Sequence, residues 1–356
     1  MDEAIEDTTI DFYNQSLSSL LDFHVPLTSR SVSFSCSAPW YTCELRKMKA
    51  AGRVLERRLK PSSSQIFLWF VVFVDTQLYI SVNPDDISLL SRLEDCLLDI
   101  QCWIAKNFLM LNTEKTEVLV IGPKAARNKF HHLNVGNLPT QPNMVVRNLG
   151  VLVDSDLCFD AHIRSITRTA FYHLRNIAKL RKMLSLNDAE KLIHAFVSSR
   201  LDYCNALLSG CPSGSLHKLQ MVQNAAARVL TNTKKFDHIT PVLSSLHWLP
   251  VKSRIDYKIL LLTYKALNGL APEYLSELLT TYNPPRLLRS QAMGYLLVPR
   301  VERATAGCRA FSYKAPLLWN GLPPDVRVSG SLSIFKSRLK THLFSLAYRD
   351  TSSSPS

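Results

Sequence analysis

Residues 66–74, IFLWFVVFV, are nine apolar residues in succession that run directly into a single aspartate, Asp75. The run is far short of the roughly 20 residues that cross a bilayer, so it must be buried in protein. Its aromatic and β-branched content suits a strand. The polar triplet Asp75-Thr76-Gln77 follows, and Leu78 to Val82 alternates. A strand, a tight acidic turn and a second strand are predicted over 66–82. Further strands are predicted at EVLVIG (117–122), which ends on a glycine, and at MVVRNLGVLVD (144–154), read as a strand pair or one bent strand.

The rest is periodic at helical spacing. Residues 39–60 read as a helix with Thr42 as N-cap. In 84–110, Asp86 can cap a helix whose apolar face carries Leu93, Leu97, Ile100 and Ile104. From Ala161 onward helices are predicted near 161–183, 187–207, 214–230, 238–245, 251–268, 271–280 and 331–347. Pro284, Pro285, Pro316, Pro323 and Pro324 are read as loop markers. Residues 1–30 are acidic and Ser-rich, and the terminal TSSSPS is disordered by composition.

With 46% hydrophobic and 20% charged residues the chain can build a core. Its formal net charge of +13 points to a polyanionic partner rather than to a fold. The eight cysteines include no CxxC pair and read as scattered reduced thiols. The acidic N-terminus lacks the basic and then apolar pattern of a secretory signal. An intracellular protein, cytoplasmic or nuclear, with no membrane association is expected.

Beginning at Val72-Phe73-Val74-Asp75-Thr76-Gln77-Leu78-Tyr79 the chain resembles the reverse transcriptases of LINE-type (non-LTR) retrotransposons, whose catalytic hairpin reads aromatic-Ala-Asp-Asp-Thr-Gln-Leu-Tyr. The likeness continues in family order. WIAKNFLMLNTEKTEVLVIG (103–122) is similar to the next polymerase motif, with its Lys-Thr-Glu at 115–117, and VRNLGVLVDSDLCFDAHI (146–163) to the strand motif after it. LDYCNALLSGCP, LQMVQNAAARVL, LHWLPVKSRIDYKILLLTYKALNGLAPEYL and LWNGLPPDVR resemble the helical thumb and C-terminal region. SAPWYTCELRKMKAAGRVLERR (37–58) resembles the linker between endonuclease and polymerase in such elements. The fingers and most of the palm, which lie between linker and turn in the family, are replaced by LKPSSSQIFLWF.

The resemblance implies an α+β fold. Residues 1–65 would be a linker-like, partly disordered segment, 66–160 a residual palm, 161–283 a helical thumb-like region, 284–347 a C-terminal region and 348–356 a disordered tail. The strand from Ile66 to Phe73 is expected to lack part of its cover, and residues 1–65 to pack poorly against the rest.

Polymerase chemistry needs two divalent metals about 3.5–4 Å apart, held by converging hard oxygen ligands. In the family one aspartate comes from an earlier palm strand and two from the turn. Here the earlier strand is missing and Val74 replaces the first turn aspartate, so Asp75 is a vestigial ligand and no metal is expected, Mg²⁺ being the metal of the intact family. Lys115 matches the family lysine to which the resemblance assigns protonation of the departing pyrophosphate. Without metal and nucleotide it reads as a vestigial, solvated lysine. Cys204, Cys211 and His217 match no standard zinc spacing and read as structural residues, the thiols lying on helices.

From Asp160 to Arg349 there are 27 Lys and Arg against 10 Asp and Glu. Arg164, Arg168, Arg175, Lys179 and Lys182 recur at spacings that can share a helix face, as a phosphate-tracking surface would and as a merely solvated face would too. The expectation is a truncated reverse transcriptase by descent, catalytically inactive, that binds RNA or DNA weakly and without sequence preference. Two alternatives stay open: a noncatalytic RNA- or DNA-binding module, and an expressed pseudogene product without a selected role.

Overall fold

The computed structural model describes residues 66–72, 76–82, 88–106, 116–130, 142–282, 294–301 and 307–348. Asp75, Val74, Lys115, the helix expected over 39–60, Pro284, Pro285 and the C-terminal tail lie outside the described residues. The architecture is α+β, mainly helical.

The long apolar run forms β1 (Ile66–Val72), which pairs antiparallel with β2 (Thr76–Val82) in the register Trp69↔Tyr79, as the hairpin reading requires. On its other edge β1 pairs antiparallel with β3 (Glu117–Ile121), Trp69↔Leu119, in the order β2-β1-β3. Both hydrogen-bonding edges of β1 are thus occupied. Between β2 and β3 runs α1 (Ser88–Lys106), which buries Leu93, Cys96, Leu97 and Ile100 at helical spacing.

The stretch 144–154 is a strand pair, β4 (Val145–Asn148) and β5 (Val151–Asp154), joined by the two-residue turn Leu149-Gly150. Both turn residues have positive φ, +45° and +82°, the handedness that matches the twist of paired strands. Leucine is an uncommon residue there, and the Tyr203 hydroxyl donates to its carbonyl at 2.6 Å from a distant helix end.

The helical part begins at α2 (Asp160–Leu180). Asp154, 8% exposed, prepares its start: its carboxylate accepts from the backbone N–H of Asp156, Cys158 and Phe159 at 3.1, 2.9 and 2.6 Å. These bonds close the loop that turns β5 into α2. The helices that follow include α3 (Leu186–Ile193), the single turn α4 (Ser199–Asp202), α5 (Ser213–Thr231), α6 (Ile239–Ser245), α7 (Val251–Leu267), α8 (Phe311–Asn320) and α9 (Leu332–Tyr348).

Four expectations need correction. The single helix expected over 187–207 is interrupted: α3 passes through a π turn, His194–Ser198, into α4, and a 3₁₀ turn, Asn205–Leu208, follows Cys204 at φ +50°. The helix expected over 271–280 is one turn, Glu273–Ser276, because the chain then leaves to bond with 295–297: Leu297 N–H donates to the Thr280 carbonyl and Tyr282 N–H to that of Tyr295. Pro316 lies inside α8 rather than in a loop, buried together with Ala315 and Trp319, and this burial offsets the lost backbone bond. Cys204 and Cys211 sit in turns rather than on α-helices, and the Cys211 thiol donates to the Cys158 carbonyl.

One hydrophobic cluster joins strand residues Leu119, Val146 and Val153 to Ile163, Leu174, Ile193, Leu219, Leu230 and Ile255. A second gathers Leu260, Tyr264, Trp319, Phe335 and Leu339, with the Tyr264 and Phe335 rings stacked 4.3 Å apart. Polar groups at the α5–α7 junction are paired. Gln220 accepts from Val251 N–H at 2.9 Å, satisfying a first-turn donor of α7, and fully buried Gln223 donates to the Leu249 carbonyl at 2.8 Å.

Candidate nucleic-acid interface

On α2 the buried residues Ile163, Ile166, Ala170, Leu174 and Ile177 form one row. At 3.6 residues per turn, Arg164, Arg168, Arg175 and Lys179 fall within an arc of about 60°, centred about 150° away from that row. All four are exposed, and none forms an ion pair with another described residue. The only acid in the helix, Asp160, lies in the first turn and accepts from the Ser215 hydroxyl at 2.7 Å. Lys182, grouped with these residues from the sequence, is exposed in the turn after the helix and so is not part of the helical face.

Arg181, between Lys179 and Lys182, has another job. Its guanidinium donates to the carbonyls of Val229 (3.2 Å), Leu230 (3.2 and 2.9 Å) and Leu184 (3.1 Å). Val229 and Leu230 belong to the last turn of α5, whose carbonyls have no intrahelical donor. A cation there also meets the negative end of the helix dipole. Arg181 therefore staples the C-terminal ends of α2 and α5 together.

Beside the basic stripe runs an open groove of about 460 Å³, lined by Gly150, His162, Ser165, Thr169, Arg200 and Tyr203 among others. The π turn places Ser199 and Arg200 along it. Arg200 is held by its Nη1 donating to the Phe196 carbonyl at 2.8 Å. The Phe196 ring stacks on His173 (centroids 5.0 Å, 22°), and Tyr172 meets His173 edge-on at 5.4 Å. Tyr172 and Tyr203 are more than half exposed. A stripe of cations beside the groove, Arg200 and hydroxyls in its lining, and accessible aromatic rings are the groups that hold phosphodiesters and unpaired bases.

His162 is 5% exposed, and its Nδ1 accepts from Leu152 N–H at 3.4 Å, which leaves the ring proton on Nε2. Burial, and then the charge of Arg147, hold its pKa below the usual 6.5. The unfolded chain thus takes up this proton at a higher pH than the folded one. The stability contributed by the neutral ring is complete above about pH 6.5 and is lost as pH falls through the folded value. Urea titrations at pH 7.5 and pH 5 should show a larger acid-induced loss for wild type than for His162→Asn. Equal losses would mean that the folded ring titrates normally.

Among the described residues no group of three or more His, Cys, Asp or Glu side chains converges to hold a metal ion, and no helix is long and apolar enough to cross a membrane. The groove residues His162, Arg200 and Tyr203 were not singled out by the sequence reading. Tyr203 stood within the quoted LDYCNALLSGCP, but nothing local to it signals a partner 54 positions away. No protein-family model, curated protein or solved structure matches the chain.

Proposed function

We propose that this chain is a truncated derivative of a non-LTR retrotransposon reverse transcriptase that no longer polymerises and whose helical region, corresponding to the thumb, binds RNA or DNA through phosphate contacts. The ordered series of motif resemblances supports the ancestry. The observation that carries the binding is the stripe of Arg164, Arg168, Arg175 and Lys179, opposite the buried row of α2 and in no ion pair with another described residue. Beside it, Arg200 and the hydroxyl-lined groove extend the same chemistry onto the flank of the helix. Such contacts read no bases, so the binding has little sequence preference.

The residues do not fit a two-metal centre. The sequence between β1 and β2 holds one carboxylate, Asp75, next to Val74, and two cations cannot be clamped by one ligand. The function is therefore binding without chemistry. Filter binding and primer extension on the same purified protein test this. A labelled single strand should be retained at low salt, while no primer should be extended with Mg²⁺ or Mn²⁺, by wild type or by Val74→Asp. Extension by Val74→Asp above a control lacking Asp75 would revive an enzyme. Absence of retention would leave the inherited shape without a ligand.

A further inference from the structure

The connection between α5 and α6 carries Phe236, 91% exposed, the highest exposure among the large apolar side chains of the described residues. An aromatic ring in water usually sits on a segment too loose to bury it, yet this turn is fastened. Asn232 leaves α5 in the left-handed region, φ +55°. Asp237 N–H donates to the Lys234 carbonyl at 3.3 Å, and Lys234 N–H donates to the Asp237 carboxylate at 3.0 Å. Arg228, one turn back on α5, donates through Nε to the Lys234 carbonyl at 3.2 Å and through Nη2 to the Asp237 carbonyl at 2.9 Å. Lys235 and Phe236 occupy the two central positions, with the Lys235 ammonium 5.8 Å from the ring centroid. A ring held out this way loses little freedom when something stacks on it.

The charge around it selects the occupant. Lys234 and Lys235 are exposed on the same turn. The turn follows directly on the end of α5, which Arg181 staples to the end of α2, so it lies near the C-terminal end of α2. A single strand reaching this turn would meet an aromatic face with two lysines before it, while the Asp237 carboxylate after it is engaged by the Lys234 N–H. We propose that Phe236 is a stacking platform for an unpaired nucleobase of a single strand, with Lys234 and Lys235 taking the adjacent phosphates. The proposal rests on the reading that the helical region binds nucleic acid.

The test uses the full chain and a labelled single-stranded oligonucleotide carrying one 2-aminopurine, whose fluorescence falls when the base stacks. At fixed low salt Phe236→Ala should weaken binding roughly 5- to 150-fold, the range of one base–aromatic contact, and abolish the quenching. Phe236→Trp should retain both. The salt slope of Phe236→Ala should equal that of wild type, whereas Lys234→Gln with Lys235→Gln should lower it by about 1.4. The ring is exposed, so thermal unfolding of the alanine variant should be unchanged. If wild type and Phe236→Ala bind alike, the platform is wrong and the phosphate-binding reading survives. If wild type does not bind, both fail. If Phe236→Ala loses binding to phosphatidylserine vesicles while keeping the oligonucleotide, the turn is a lipid wedge and the proposal is overturned.

Discussion

Replacing Arg181 by alanine should lower the unfolding free energy by about 3 kcal/mol, the scale of hydrogen bonds made by a charged donor to otherwise unpaired carbonyls. The substitution removes four donor–acceptor contacts at once, from Val229, Leu230 and Leu184. It leaves the end of α5 with orphan acceptors that only entering water can satisfy. Lysine keeps the charge near the negative helix end but cannot spread donors over three carbonyls, so Arg181→Lys should recover less than half of the loss. The Arg168→Gln and Arg175→Gln substitutions should each change stability by less than about 0.5 kcal/mol, because exposed side chains that pair with no other described residue stabilise little. Urea denaturation of the set checks this ordering. An Arg181→Ala protein as stable as wild type would show that the α2–α5 staple carries no energy.

That contrast marks how far the sequence could be read. Arg181 and Lys179 are two residues apart in one basic run, and composition cannot tell a structural guanidinium from a surface ammonium. The difference is made by carbonyls nearly 50 positions away. The stripe itself was legible, since spacings of four, seven and four from Arg164 to Lys179 stay on one side of any α-helix. The long helices were legible for the same reason: apolar residues recur at 3.6 spacing through α2, α5, α7 and α9, and the hairpin announces itself by the nine-residue run and the acidic turn.

The groove was not legible. Val197 and Leu201 continue the apolar rhythm of α3, so the pattern reads as one helix. The π turn inserts a residue into that rhythm and changes which side chains share a face, placing Ser199 and Arg200 along a groove whose other wall comes from α2. Its remaining edge is a strand turn whose left-handed leucine is held by Tyr203. Asp154 read as the polar end of a strand, whereas three backbone donors make it the nucleus of the β5–α2 loop. Pro316 read as a breaker because the loss of a backbone donor is a local fact, while the burial that offsets it is not.

On the proposed function, the exposed face of α2 holds phosphates. Three exposed arginines that pair with no acid among the described residues would each displace counterions from a bound strand, and affinity would then fall with salt by about 0.7 log units per tenfold change for each contact. Removing Arg164, Arg168 and Arg175 as charges, by Gln substitution at all three, should therefore lower the salt slope by about 2 and weaken binding most at the lowest salt. Stability should be nearly unchanged, since none of the three pairs with another described residue. A base-reading site would instead discriminate among sequences at fixed salt and keep its slope. The direct measurement is fluorescence anisotropy of a labelled single-stranded oligonucleotide across a salt series, with wild type beside the triple variant and two unrelated sequences. A steep wild-type slope, reduced by about 2 in the variant and the same for both sequences, is the predicted result. A slope indifferent to the three substitutions, or no binding at low salt, would contradict it.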